Sequence, residues 1–128
     1  MMKNILKAAA VLSVLVPAGA AHAQDAAAGE KVFRKCKACH VVDKEQNRVG
    51  PHLVGIIGRP VAAIEDFRYS SAMEEWGEGK TWDDALFLEY IEKPRTMVKG
   101  TKMAFAGLRD EQERKDILAY LKEAGAGS

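Results

Sequence analysis

Two cysteines in 128 residues exclude a disulfide framework, and the pair stands so close that a bridge between Cys36 and Cys39 would close too small a loop to stabilise much. Histidine is scarce as well. Beyond the one beside the cysteines, the chain after its leader offers only His52, too little for a four-ligand zinc site. No apolar run reaches the roughly 20 residues that cross a bilayer. There is no strand pattern around the cysteines, which weighs against a thioredoxin-type dithiol in a βαβ setting. Internal repeats are absent, and no segment is of low complexity beyond an alanine-rich amino terminus.

What is present is Cys36-Lys37-Ala38-Cys39-His40, a C-x-x-C-H run. It reads as a covalent haem attachment site. Two thiols can add across the two vinyl groups of one haem only if both reach the same porphyrin edge, and a two-residue spacer on a helical turn places them so. The next residue, His40, then lies under the iron, where a neutral imidazole nitrogen is a good ligand. Five residues thus supply two tethers and the proximal ligand.

The amino terminus reads as a secretory signal peptide over residues 1–23: Lys3 and Lys7, an apolar stretch from Ala8 to Val16, then Pro17 and the small-x-small pattern Ala21-His22-Ala23. Cleavage after Ala23 leaves one domain, 24–128, of 105 residues. Without Lys3 and Lys7 the chain holds 17 basic and 18 acidic residues, a net of −1. That value hides segregation. Lys31 to Val42 contains four bases and no acid, and Lys93 to Arg109 contains five bases and no acid. Such clustering favours a face that docks an acidic partner.

Helical periodicity and caps outline the rest. Asp25 is placed to cap a helix carrying Val32, Phe33 and Cys36 on one side, and Gly29 within it suggests a close helix crossing. Residues 43–60, with Gly50-Pro51, Gly55, Gly58 and Pro60, read as loop. Ser70 or Ser71 can cap a short helix to Trp76, ended by Gly77 and Gly79. Thr81 with Asp84 suits the start of a clearer helix bearing Leu86, Phe87, Tyr90 and Ile91, which Pro94 stops. Gly100 to Gly107 is a loop holding Met103. Asp110 with Glu113 opens a terminal helix carrying Ile117, Leu118, Tyr120, Leu121 and Ala124, with Gly125 as its C-cap. Three main helices and long loops leave a small apolar core, which a buried haem would complete.

The haem motif, Gly50-Pro51, Gly58-Arg59, Phe67-Arg68-Tyr69, Thr81-Trp82, Leu88-Glu89-Tyr90, the run from Gly100 to Gly107 and Leu118 to Lys122 occur in an order that resembles the class I cytochromes c, close to the mitochondrial and alphaproteobacterial group. The resemblance spans the chain after the leader. It implies an all-α fold: three main helices plus short helices and long loops wrapped around one covalently attached haem c. It implies that Met103, 63 residues after His40, is the distal iron ligand; Met73 and Met97 compete only on paper. The Pro51 carbonyl would accept the other ring N–H of His40. Arg59, Tyr69 and Trp82 would bond the haem propionates, and Tyr90 and Thr101 would lie near Met103 and the inner propionate. Gly29 and Tyr120 would meet where the terminal helices cross.

The function so implied is a soluble, monomeric, periplasmic single-electron carrier between respiratory or photosynthetic redox complexes, not an enzyme. It would bind no nucleic acid and insert in no membrane, docking through Lys35, Lys37, Lys93, Arg95, Lys99 and Lys102 around the haem edge. The alternative is a peroxidase-like haem enzyme or gas sensor, which needs an open distal site; Met103 would fill that site. The segment from Met73 to Lys80 is longer than in the mitochondrial members, with Met73 where many carry a polar residue. His52 stands where the family commonly has Asn and reads as a surface histidine.

Overall fold

Asp25 starts the first helix as expected, its Oδ1 accepting the Ala28 N–H at 3.1 Å and so satisfying one of the amides that a helix start leaves unpaired. The computed structural model describes residues 9–13 and 25–126, among which lie five helices and no sheet: α1 Ala26–Phe33, α2 Ser71–Gly77, α3 Asp84–Glu92, α4 Pro94–Met97 and α5 Glu111–Ala126. Residues 9–13, within the predicted leader, are exposed and non-helical, whereas Ala21-His22-Ala23 and Gln24 lie outside the described residues. No helix among the described residues is long and apolar enough to cross a membrane.

The frame that positions everything else is the crossing of α1 on α5. Gly29, Val32 and Phe33 face inward from α1, and Ile117, Leu118 and Leu121 are buried on α5. Gly29 meets Asp116 and Tyr120, as the resemblance implies: a Cβ there would fall 2.6 Å from the Asp116 carbonyl carbon and 2.7 Å from Tyr120 Cβ. Beside this contact the Phe33 and Tyr120 rings stand 5.4 Å apart, and the Asp25 N–H donates to the buried Asp116 carboxylate at 3.1 Å. α3 packs on α5 through Phe87, Tyr90 and Ile91, closing the core.

Three expectations need correction, and one, for Pro94, is borne out and extended. Asp83, not Thr81, caps α3, because Thr81 is held in an antiparallel bridge with Pro60 and Trp82 N–H donates to the Arg59 carbonyl at 2.9 Å. The backbone there stays extended, and the helix can begin only beyond it. Pro94 ends α3 but also opens α4, since a proline at the first helical position forgoes an N–H that would have no partner anyway. α5 runs past Gly125 to Ala126; Gly125 lies 3.4 Å by its would-be Cβ from the Gly55 Cα, a packing position rather than a cap. His52 is buried, not on the surface: its Nδ1 accepts the Val54 N–H at 3.3 Å, which folds the ring back over its own loop. Elsewhere the caps hold, with Ser70 Oγ accepting the Met73 N–H and Asp110 Oδ1 accepting the Glu113 N–H, both at 3.0 Å.

Candidate functional site

The chain leaves α1 still tightly wound, Cys36 N–H donating to the Phe33 carbonyl at 2.8 Å and His40 N–H to the Cys36 carbonyl at 3.0 Å. This winding brings Cys36, Cys39 and His40 to the wall of one cavity of about 540 Å³, a size suited to a cofactor. No disulfide joins the two cysteines. Burial pushes the Cys36 thiol up to about 11, with Lys35 only partly opposing it. A redox dithiol needs the reverse shift, so the pair is poorly suited to thioredoxin-type exchange. Among the described residues no group of three or more His, Cys, Asp or Glu is arranged to hold a metal ion, which removes the zinc reading.

His40 is prepared as a ligand by its neighbours. Its Nδ1 lies 2.7 Å from the Pro51 carbonyl oxygen, which can only accept; the proton therefore sits on Nδ1 and Nε2 keeps its lone pair. Burial holds the imidazolium pKa below its ordinary value, so the ring is neutral at pH 7. Gly50 makes room for it: a Cβ at that position would fall 2.8 Å from Nδ1 and 2.9 Å from Nε2.

Met103 reaches the same cavity on the loop 100–107. The loop is clamped at its far end, where Leu108 N–H donates to the Ile91 carbonyl at 2.8 Å and Gly107, at φ +108°, passes too near the Glu92 carbonyl for any side chain. Inside the loop Thr101 Oγ1 accepts the Met103 N–H at 3.2 Å. The Tyr90 hydroxyl approaches Met103 Sδ at 3.9 Å, and burial pushes the phenol pKa up, so it stays a donor. Met73 also lines the cavity; Met97 is not on its wall.

Arg59, Tyr69 and Trp82 also line the cavity. Arg59 Nη1 donates to the His52 and Val54 carbonyls at 3.0 and 3.3 Å, while its Nε is buried with no partner. An unpaired buried donor costs about 1–3 kcal/mol, more on a charged group, and an anionic oxygen in the cavity would satisfy it. Tyr69 Oη accepts the Ile64 N–H at 3.1 Å and retains its own proton to donate. The rest of the wall is largely apolar, from Leu53, Ile56, Phe67, Phe105, Ile117 and Leu121. Two thiols, a neutral imidazole, a thioether, an apolar wall and one orphaned cationic donor fit a haem with acidic substituents.

The structure therefore brings all ten expected site residues, Cys36, Cys39, His40, Pro51, Arg59, Tyr69, Trp82, Tyr90, Thr101 and Met103, to one cavity. Of the expected docking bases, Lys35, Lys37, Lys93, Arg95, Lys99 and Lys102 are all exposed, and Lys35 and Lys102 border the cavity itself. Val49, 79% exposed, stands on the same rim. Lys35 is partly engaged, 3.4 Å from Glu113 in a surface pair. Sequence reasoning missed Leu53, Ile56, Phe67 and Phe105, whose only signal is that apolar side chains in segments without regular structure must be buried somewhere. It missed Trp76 too, which packs behind the cavity against Trp82 and Tyr90.

Fold and site together are those of a small all-α frame whose loops close over a cavity suited to a haem, with two thiols on its wall. Comparison with known proteins carries this further. Residues 26–125 match the family model for cytochrome c. The cytochrome c2 of Blastochloris viridis is 47% identical over 107 residues, covering 83% of each chain. Cytochrome c-554 of Methylosinus trichosporium is 47% identical over 98% of this chain and 96% of its own. The solved structure of cytochrome cH from Methylobacterium extorquens superposes with a TM-score of 0.71 at 43% identity, covering 77% of this chain and 98% of that one. The chain belongs to the cytochrome c family, as a class I member close to the alphaproteobacterial cytochromes c2 and c-550. It is a cytochrome c2-like electron carrier, and Cys36 and Cys39 are consistent with one covalently bound haem c.

Proposed function

We propose that residues 24–128 form a soluble, periplasmic, monomeric single-electron carrier in which His40 and Met103 would ligate the haem iron. The observation that carries this reading is the convergence of a Pro51-oriented imidazole and a Thr101-positioned thioether on the cavity that holds both thiols. The haem, when bound, supplies an iron that changes oxidation state by one electron. Cys36 and Cys39 tether it, and Pro51 sets the tautomer and donor strength of His40. Met103 would present a soft, neutral sulfur, which favours the ferrous state, and would occupy the position a peroxidase-like enzyme or gas sensor needs open. Arg59, Tyr69 and Trp82 hold the propionates. The signal peptide, cleaved after about Ala23, carries the chain to the periplasm.

Partners are redox complexes docked through Lys35, Lys37, Lys93, Arg95, Lys99 and Lys102, with exposed Val49 at the cavity rim as an apolar centre. The test of the ligand reading is a pyridine haemochrome and intact mass of the purified protein, followed by its far-red sulfur-to-iron band. Met103→Ala is expected to abolish the band, lower the potential and admit cyanide. A band that survives in Met103→Ala and disappears in Met73→Ala would move the sulfur ligand to Met73.

A further inference from the structure

Trp76 lies in the segment between Met73 and Lys80 that is longer than in the mitochondrial members, and it does not line the cavity. It nevertheless touches both aromatic residues that do so beside it. The three rings close a triangle: Trp76 to Trp82 at 5.8 Å, Trp76 to Tyr90 at 5.7 Å and Trp82 to Tyr90 at 4.8 Å, all tilted. The two inner rings are buried, and the outer one is half-buried.

The corners of this triangle are not equally secured. Trp82 is fixed by its backbone, which bonds Arg59 and Gly58 at 2.9 and 2.7 Å. Tyr90 is held by its helix at one end, but its hydroxyl makes only the 3.9 Å approach to Met103 Sδ. A contact that long cannot anchor a ring; packing must do so. Trp76 is the packing element on the side open to solvent, and it is itself braced. Gly77 fits so closely against Val61 that it admits no side chain, and Lys80 Nζ donates to the Trp76 carbonyl at 2.6 Å while standing 5.2 Å from its ring centroid.

We propose that Trp76 is a positioning residue: it wedges Tyr90 against Met103, and so sets how strongly the Tyr90 hydroxyl bonds the sulfur and how firmly the methionine loop is retained. The inference rests on Met103 being the sulfur ligand. A hydroxyl that donates to the sulfur draws density from it and weakens its donation to ferric iron more than to ferrous. Removing the wedge lets the Tyr90 ring relax outward, which lengthens the contact. The potential then falls, and exogenous ligands displace Met103 from ferric iron less readily.

The experiment uses haem-loaded protein and reads the midpoint potential, the far-red band and the affinity for imidazole as the displacing probe. Trp76→Ala is expected to lower the potential and to lower imidazole affinity severalfold, both being signs of a stronger sulfur bond to ferric iron. Trp76→Phe, which restores a ring, should return both readouts most of the way. In a Tyr90→Phe background the further change Trp76→Ala should shift the potential no more, because the hydroxyl it acts through is gone. A Trp76→Ala protein that melts earlier yet keeps wild-type potential and imidazole affinity would overturn the proposal, leaving a structural role alone. So would an equal shift from Trp76→Ala with and without the Tyr90 hydroxyl. Should Trp76→Ala yield no loaded protein, Trp76→Leu answers the same question with less void. Met103→Ala separates the two readings: if it keeps the band, the ligand assignment fails; if it loses the band while Trp76→Ala changes neither readout, only the wedge fails.

Discussion

Gly29→Ala should destabilise the protein although alanine is the better helix former. The added methyl would lie 2.6 Å from the Asp116 carbonyl carbon and 2.7 Å from Tyr120 Cβ, against a comfortable separation of about 3.5–4 Å. Relief requires α1 and α5 to part by about 1 Å. That movement stretches the Asp25 N–H bond to Asp116, now 3.1 Å, past useful length and loosens the Phe33–Tyr120 contact at 5.4 Å. Overpacking of this kind costs about 1–3 kcal/mol and the hydrogen bond about 0.5–1.5 kcal/mol. Alanine's helix preference returns about 1 kcal/mol. The balance is a loss of about 0.5–3.5 kcal/mol, seen as a lower guanidinium midpoint with an unchanged slope, or a melting temperature lower by about 2–16 °C. Were the glycine only a weak helix residue, the same substitution would stabilise by about 1 kcal/mol. Circular dichroism of the loaded protein decides by sign: an equal or higher midpoint for Gly29→Ala refutes the close crossing.

Gly107→Ala should detach the methionine loop, because φ +108° and the Glu92 carbonyl both oppose a side chain; loss of the far-red band at a lower pH or temperature than wild type checks it. Cys36→Ala combined with Cys39→Ala should leave a chain without a complete core, so a haem-free double variant with wild-type helical signal and a cooperative melt would contradict it. Electron transfer to an acidic redox partner should slow as salt rises and the Debye length shrinks to about 8 Å near physiological ionic strength. Charge reversal of Lys37, Lys99 and Lys102 together should slow it at low salt, whereas a rate flat in both tests removes the basic docking face.

Legibility in the sequence divides along a physical line. Where a feature depends on residues a few positions apart, the chain states it openly. The thiols and imidazole of the haem motif share one winding of backbone, and Asp25, Ser70 and Asp110 each cap with their own side chain. Features that depend on distant partners are misread or silent. Thr81 has the chemistry of a cap, but pairing with Pro60 spends its backbone elsewhere. His52 carries nothing to say that its ring turns inward, and Ala62 gives no hint of its φ of +57°.

The same line runs through the site. Met73, Met97 and Met103 are chemically identical, so no local property selects among them, and only resemblance to a family singles out Met103. The structure reduces the choice by placing Met97 off the cavity wall and surrounding Met103 with contacts from elsewhere in the chain. Leu108 returns the loop to α3, Gly107 lets it pass the Glu92 carbonyl, and Tyr90 and Thr101 address the methionine directly. The proximal half is therefore a local invention, tolerant of its surroundings once Gly50 and Pro51 are in place. The distal half is a tertiary one, whose strength depends on how α3, α4 and the braced end of α2 hold Tyr90 and the loop. Variation among relatives that keep the C-x-x-C-H run should then tune the Met103 side far more than the His40 side, and Trp76 stands where such tuning would act.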